Sequence, residues 1–166
     1  MQGLNDRKLV TAYLADKNIA HVLSSPYRRA VDTVRDYADK YDLPIEEVYA
    51  FRERKVGSSW ISDGDFADFV KHQWVDFTFK NSDGESLLEV QERNIAALTE
   101  ILTQYAGQSI AIGTHGTALS TIINYYDPVY GLSDFQAMVN LMPWIVKMQF
   151  NGLTCTKIEK IDVFKH

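Results

Sequence analysis

Two short segments of the sequence place polar side chains where an apolar, strand-like run gives way to a helix. In residues 22–30 the apolar run is followed by Ser24-Ser25-Pro26 and then by two arginines. In residues 110–118 it is followed by Thr114-His115-Gly116. Parallel sheets bind ligands at the carboxyl ends of their strands, where a helix N-terminus favours an anion. An arginine fork and an imidazole at such a place are suited to holding a phosphate and to exchanging a proton.

Each of these residues also has an ordinary structural explanation. Taken singly, Arg28 and Arg29 near a helix start are typical of a solvated face, and a His115-Gly116 pair at a strand end is typical of a turn. Glu53, which lies between two arginines, is by itself typical of a surface ion pair. Gly116 permits close approach of the backbone to a ligand. Only the occurrence of all these residues in one order favours a functional interpretation.

The segments around these turns read as alternating helices and short strands, which is typical of a layered α/β domain. Apolar spacing predicts helices at residues 5–17, after Pro26, after Ser86 and at 116–124, and strands at 19–23, 44–49 and 109–113. Asn151-Gly152 separates strand-like runs at 144–150 and 153–163, which predicts a hairpin. Ser133 and Gln136 have the spacing of a capping box, which predicts one more short helix.

The composition indicates one acidic globular domain over residues 1–166. Of the 166 residues, 46% are hydrophobic and 23% charged, and 17 basic against 22 acidic side chains give a net charge of −5. This balance argues against general binding to nucleic acid or to an anionic membrane, although a locally positive pocket can still bind a small anion. A lone Cys155 forms no intrachain disulfide, and no apolar run reaches the length of a membrane span. We expect a cytoplasmic protein that needs no metal or other cofactor.

The segment at residues 58–82 differs from the rest because its aromatic side chains lie among acids. Phe66, Phe69, Trp74 and Phe77 approximate one helical face, which is typical of a helix packed on the core. The alternative is an inserted cap whose aromatic side chains line a pocket over the rigid part of the domain.

Four motifs in one order resemble those of the histidine phosphatase superfamily, also called the phosphoglycerate-mutase-like family. The resemblance extends over nearly the whole chain and rests on residues 24–33 (SSPYRRAVDT), 51–57 (FRERKVG), 84–86 (GES) with Arg93 further along, and 114–116 (THG). It implies a three-layer α/β/α sandwich with a mixed, mainly parallel sheet. It also implies metal-independent phosphoryl transfer through a phosphohistidine, with a small phosphorylated substrate.

The resemblance also implies roles for the residues that match the family motifs. Arg29, rather than Arg28, would hold the phosphate. His115 would hydrogen-bond the transferring phosphoryl group, with Gly116 beside it. Glu53 would act as general acid for the leaving oxygen and then as general base for water.

The sequence departs from the family at the nucleophile. The family's nucleophilic histidine belongs to an Arg-His-Gly motif after the first strand, and this tripeptide does not occur in the sequence. Residues 3–7 match the part of the family just beyond that motif, so we interpret the chain as N-terminally truncated, with a degenerate family member as the alternative. Loss of the nucleophile predicts very weak activity or none. Loss of the first strand predicts unpaired edges at 109–113 and 144–150, and therefore self-association or strand exchange.

Three other assignments remain open at this point. A phosphatase is favoured over a phosphoglycerate mutase because residues 60–80 carry few basic side chains, and the aromatic content favours an apolar or ring-bearing leaving group. A second hypothesis is a non-catalytic module that binds a phosphorylated ligand or a protein partner. A third is a flavodoxin-like anion binder unrelated to the family. An in-frame Arg-His-Gly upstream of Met1 in the coding DNA would favour the enzyme.

Overall fold

A computed structural model describes residues 2–165 of the chain. Its helices are α1 (Gln2–Leu14), α2 (Arg28–Lys40), α3 (Asp63–Val75), α4 (Leu87–Gln104), α5 (Gly116–Tyr126) and α6 (Leu132–Met138). Its strands are β1 (Ile19–Ser24), β2 (Ile45–Glu47), β3 (Ser109–Gly113), β4 (Ile145–Asn151) and β5 (Thr154–Ile161), and a 3₁₀ turn spans Tyr49–Phe51. None of the helices in this part of the chain is long and apolar enough to cross a membrane.

β1 is the central strand of a three-stranded parallel sheet with the order β2–β1–β3. Val22 lies opposite Ile45 on one side and opposite Ala111 on the other. Because the strands are parallel, their carboxyl ends lie at one edge of the sheet, and the turns that follow β1 and β3 lie side by side. The parallel sheet agrees with the expected α/β class.

Successive residues of β1 point to opposite faces of the sheet, and each face is covered by helices. Val22 packs in a cluster with residues of α1 and α2, among them Val10, Val34 and Tyr37. Leu23 packs on the other face with Phe51 of the 3₁₀ turn and with α4. The α2 face is the one expected from its apolar spacing, since the buried residues of α2 are Ala30, Val31, Val34, Tyr37 and Ala38. The sheet is therefore held between two helical layers.

Two local expectations from the sequence are corrected by the structure. The strand expected at 44–49 is shorter, because the chain turns into the 3₁₀ helix at Tyr49 to bury Phe51. The capping box at Ser133 and Gln136 is absent from α6. That helix begins one residue after Gly131, whose N–H donates to the Asp134 carboxylate over 3.0 Å, so Ser133 lies inside the first turn.

The hairpin of β4 and β5 forms an antiparallel ladder of its own, with Asn151 paired to Thr154 around the expected turn. Ile145 of β4 packs against the cluster of Val22 and Ala111. Within residues 2–165, β3 is hydrogen-bonded to β1 alone and β4 to β5 alone. Each of these strands therefore has one edge whose backbone groups are not used by a sheet ladder.

Candidate functional site

The turn after β1 brings Arg29 and Ser25 to the carboxyl edge of the sheet. Ser25 is fully buried, and its Oγ accepts a hydrogen bond from the Tyr27 N–H over 3.2 Å, which fixes the backbone just before α2. Ser25 N–H also donates to the Gly113 carbonyl over 2.8 Å, so this turn is joined directly to the end of β3. Arg29 then extends from the first turn of α2 toward the neighbouring turn.

The turn after β3 presents His115, and the two turns meet at its ring. Arg29 Nε donates to His115 Nδ1 over 3.2 Å, and His115 Nε2 lies 2.8 Å from Ser25 Oγ. Because an arginine N–H can only donate, Nδ1 is the acceptor, so the ring proton lies on Nε2 and is donated to Ser25. The expected convergence of Arg29 and His115 is present as a direct contact.

His115 is held in its neutral form. Its side chain is only 6% exposed, and burial together with the charges of Arg29 and Arg93 lowers its pKa from 6.5 to about 4. A neutral imidazole with Nε2–H is a hydrogen-bond donor at neutral pH, while its Nδ1 is an acceptor that Arg29 already uses. Because Arg29 donates only its Nε–H to the ring, its other N–H groups are suited to binding an oxyanion.

Glu53 lies against the start of α5 and accepts hydrogen bonds from three backbone N–H groups. Its oxygens accept from Thr117 and Ala118, each over 3.2 Å, and from Arg54 over 2.8 Å. The first N–H groups of a helix have no partner within the helix, and a carboxylate there also interacts favourably with the helix dipole. Glu53 therefore serves as the cap of α5, and its carboxyl group is fixed at the start of the helix that follows His115.

Arg93 of α4 fixes the loop that carries Glu53. Its guanidinium donates to both carboxylate oxygens of Glu85, over 2.9 and 3.1 Å. Its remaining donors bind the carbonyl groups of Ala50, Arg52 and Glu53. All five N–H donors of this side chain are thus used, three of them on the loop backbone.

Glu85 is the centre of the same network. Although burial opposes ionisation of Glu85, hydrogen bonds from Arg93 and from the Lys55 N–H hold the pKa of its carboxyl group below the usual value. Gly84 permits this packing, because a Cβ there would lie 2.2 Å from the Val56 carbonyl oxygen. Ser86 then caps α4 in a reciprocal capping box with Glu89. The Gly-Glu-Ser motif is therefore a device that joins α4 to the loop of Glu53.

Arg54 is a buried cation that the sequence did not single out. It is 9% exposed and lies over the rings of Phe66 and Phe69 of α3, with Nη1 donating to Gln73 over 2.7 Å. Its Nε has no partner among residues 2–165, and burial lowers the pKa of this guanidinium. In the sequence it is one of four consecutive charged residues, and no local pattern tells which of them points inward.

Arg28 and Gly116, two other candidates, have different surroundings. The Arg28 side chain is 93% exposed and pairs with Asp32 at 3.6 Å, so it points away from His115. Gly116 begins α5, and a Cβ there would lie 3.2 Å from Met138 Cε. The close approach at Gly116 is thus to a protein side chain within the described residues.

The other histidines in residues 2–165 lie outside this cluster. His21 stacks on Tyr105, and His72 stacks on Phe79. The same part of the chain holds no group of three or more His, Cys, Asp or Glu side chains that could bind a metal ion. His166 lies outside the described residues.

Comparison with known proteins identifies the class to which this fold and site belong. A model of the histidine phosphatase superfamily (branch 1) matches residues 1–152, so the chain belongs to this superfamily. The family assigned from the sequence motifs is thereby confirmed. A search of curated proteins gives no significant match.

Solved structures, two of which are of phosphatases, share the fold. The chain is similar to Bacillus stearothermophilus YhfR, with a TM-score of 0.70 and 19% identity over 90% of this chain and 77% of that one. It is similar to a mutant phosphoserine phosphatase from Entamoeba histolytica in complex with phosphoserine, with a TM-score of 0.72 and 18% identity over 93% of this chain and 80% of that one. It is also similar to the alpha-ribazole phosphatase of Shigella flexneri, with a TM-score of 0.70 and 17% identity over 94% of this chain and 80% of that one. These structures confirm the phosphoglycerate-mutase-like α/β fold.

Proposed function

We propose that the chain binds the phosphoryl group of small phosphomonoesters beside the Arg29–His115 pair, in the manner of a histidine-family phosphatase. The observation that carries the proposal is the 3.2 Å contact between Arg29 Nε and His115 Nδ1 at the carboxyl edge of a parallel sheet. The guanidinium supplies charge and its remaining N–H donors to an oxyanion at this place, and the neutral imidazole holds the guanidinium in position through Nδ1. One of the solved relatives holds phosphoserine, a ligand of this chemical class.

The start of α2 contributes to the same site. No side chain among the described residues caps this helix, and the Ala30 N–H already donates to the Tyr27 carbonyl, so the N–H groups of Arg28 and Arg29 are the ones open to an anion. The start of α5 contributes less, because Glu53 already accepts from Thr117 and Ala118. The phosphoryl group therefore depends on Arg29, His115 and the backbone of α2.

Glu53 is the group we assign to proton transfer with the leaving oxygen. Its loop is fixed by Arg93, and its carboxyl group lies at the start of the helix that follows His115. In a phosphatase reaction a carboxyl group here would donate a proton to the leaving oxygen and later accept one from water. No metal is required for these steps, because positioning and charge stabilisation carry most of the rate of phosphoryl transfer.

We further propose that this sequence turns over phosphate esters very weakly. The family's Arg-His-Gly nucleophile motif does not occur in it, and His115 is the only histidine of residues 2–165 in contact with Arg29. With Nδ1 bound to Arg29 and Nε2 bound to Ser25, neither nitrogen of His115 is directed at a phosphorus atom. This favours ligand binding without turnover as the second candidate function, in place of a mutase.

The test is binding of inorganic phosphate and orthovanadate to the purified chain, measured by calorimetry and by ³¹P and ⁵¹V NMR. We expect Arg29→Ala to weaken phosphate binding about 100-fold, since a charge-assisted hydrogen-bond pair is worth roughly 3 kcal/mol. Arg28→Ala is the matched control, with less than about a twofold change because that side chain is solvated. Equal effects of the two substitutions, or no binding at all, would overturn the proposal.

Turnover is tested separately. We expect phosphate release from phenyl phosphate close to the uncatalysed background and no acid-labile phosphohistidine after incubation with the ester. Rapid turnover with a labelled phosphohistidine would show that an unforeseen nucleophile acts, and would replace the binding function by a catalytic one.

A further inference from the structure

We propose that Tyr27 is the residue that contacts the leaving group of the bound phosphate ester and selects esters whose leaving group carries a planar ring. The inference rests on the proposed function, because it places the ester's phosphoryl group at Arg29 and His115. It concerns the specificity of that site and not the binding of phosphate itself.

Tyr27 contacts both residues of the phosphate site. Its ring lies edge-on against the His115 ring, with centroids 5.2 Å apart, and the Arg29 guanidinium carbon lies 5.6 Å from its centroid. No other aromatic ring in residues 2–165 lies against His115. A phosphoryl group held beside Arg29 and His115 therefore has the Tyr27 ring as an aromatic neighbour.

The ring is held in place and yet reaches solvent. Tyr27 is the residue before α2, its N–H donates to Ser25 Oγ, and its carbonyl accepts from Ala30 and Val31. The side chain is nevertheless 40% exposed, whereas His115 beneath it is 6% exposed. An aromatic ring that is anchored through its backbone and partly exposed beside a buried polar cluster is suited to stacking on a flat leaving group at low entropic cost.

The aromatic side chains of residues 58–82 are less suited to contacting the leaving group. Phe69 is buried, and Trp74 packs on Tyr130 and Phe135. Phe66 lies against Arg54, and Trp60 lines an open surface hollow with His72 and Phe79. That residues 58–82 form a cap over the site stays a prediction, and these residues supply the control variants for Tyr27.

The experiment compares phenyl phosphate with methyl phosphate as competitors of inorganic phosphate, measured by ³¹P NMR or calorimetry. We expect the wild-type chain to bind phenyl phosphate about tenfold more tightly, as a stacked ring pair together with buried apolar area would give. Tyr27→Phe should keep most of this preference, because the ring remains. Tyr27→Ala and Tyr27→Leu should reduce it to about twofold, while the affinity for inorganic phosphate changes less than about threefold. Tyr27→Leu keeps an apolar side chain at this position and so separates the ring from general packing.

Two matched controls decide where the leaving group lies. Trp60→Ala and Phe66→Ala each remove an exposed aromatic residue of the 58–82 segment, 88% exposed for Trp60 and 40% for Phe66, and we expect both to leave the phenyl preference intact. A preference that survives Tyr27→Ala, or that is lost in Trp60→Ala or Phe66→Ala instead, would overturn the inference. A wild-type chain that binds neither ester nor phosphate would show that the phosphate site itself is wrong, which is a distinct outcome.

A second readout separates contact with the ligand from a purely structural role. Because Tyr27 covers His115, its removal should raise the pKa of His115 toward 6.5 in NMR titrations, in Tyr27→Ala more than in Tyr27→Phe. An unchanged phenyl preference together with a raised His115 pKa would show that Tyr27 only shields the imidazole, and would also overturn the inference.

Discussion

The β1–α2 and β3–α5 turns have the same order of apolar strand, polar turn and helix, but their helix starts are used differently. At α2 no side-chain cap is formed by the described residues, and Arg29 extends from the first turn. At α5 the Glu53 carboxylate, which comes from a distant loop, accepts from Thr117 and Ala118. Two turns that look alike in sequence therefore differ in how the N–H groups of their helix starts are hydrogen-bonded. One helix start has no side-chain cap among the described residues, and the other is satisfied by an internal carboxylate.

The histidine and the arginine also lie on different turns. His115 precedes the helix that is already capped, and Arg29 lies on the helix that is open. The open helix start and the Arg29 cation therefore belong to the same turn, and His115 belongs to the other. Substitutions that change one turn and leave the other unchanged test this comparison most directly.

The largest expected effect is the pH dependence contributed by His115. Its pKa is about 4 in the folded chain against 6.5 ordinarily, so between these values the unfolded chain binds the proton more readily. Stability is fully present above pH 6.5 and is lost as the pH falls toward 4, by roughly 3 kcal/mol for a shift of this size. The measurement is urea unfolding of the wild type and of His115→Gln at several pH values. His115→Gln should lose this part of the slope, and parallel curves would contradict the neutral, buried imidazole.

The next largest effect tests the contact between the turns at Gly113. A Cβ there would lie 2.6 Å from the Ala30 carbonyl oxygen and 2.8 Å from Ser24 Oγ, and these atoms are too firmly held to move away. We expect Gly113→Ala to destabilise the chain by about 2 to 3 kcal/mol in urea unfolding. Gly64→Ala in α3, where a Cβ meets nothing within 4 Å, is the control and should be neutral or stabilising. Similar costs at both glycines would show that the turns are not packed as described.

The cap of α5 is tested by substitution of Glu53. Glu53→Ala leaves the N–H groups of Arg54, Thr117 and Ala118 without their acceptor, and we expect a loss of about 2 kcal/mol in the free energy of unfolding. Glu53→Gln keeps one acceptor oxygen, and its loss should be about half as large. If Glu53→Ala instead left stability unchanged and tightened phosphate binding at α5, the proposed difference between the two helix starts would be wrong.

The open edges of β3 and β4 lead to a prediction about association. Unpaired strand edges favour pairing with another chain, and β3 has a ladder partner on one side only within residues 2–165. We expect sedimentation at increasing concentration to show self-association. The test variant is Ser109→Pro, because Ser109 is the exposed first residue of β3 and proline there should weaken association. A lysine at Ile110 or Ile112 is unsuitable, because both residues pack on the core. A well-folded monomer at all concentrations would contradict the prediction.

The sequence was sufficient for the order of elements and for the two turns, because both depend on local signals. Apolar runs, Pro26 at the start of a helix and the Asn151-Gly152 turn each specify nearby backbone. The convergence of Arg29 and His115 could be expected because parallel strands end at the same edge of a sheet. These features needed no knowledge of distances between remote loops.

The remaining features depend on contacts between segments far apart in the chain. Glu53 caps a helix that begins more than 60 residues later, and nothing near Glu53 in sequence indicates this. Arg54 is buried and Lys55 is exposed only because α3, whose Gln73 accepts a hydrogen bond from Arg54, packs on that loop. Arg93 was noticed as part of a motif, but its three bonds to backbone carbonyls follow from the way α4 lies against the 3₁₀ turn.

The smallest expected effect concerns Gly116, which the sequence placed in the phosphate site. A Cβ at Gly116 would lie 3.2 Å from Met138 Cε, the end of a flexible side chain that can move by a few tenths of an ångström. Alanine is also the better helix former at this first position of α5, so we expect Gly116→Ala to change stability by less than about 1 kcal/mol. Because the next two N–H groups already bind Glu53, phosphate affinity should change less than about threefold in calorimetry. A loss as large as that of Arg29→Ala would mean that a bound phosphate touches the backbone of α5, and the two helix starts would then share the ligand.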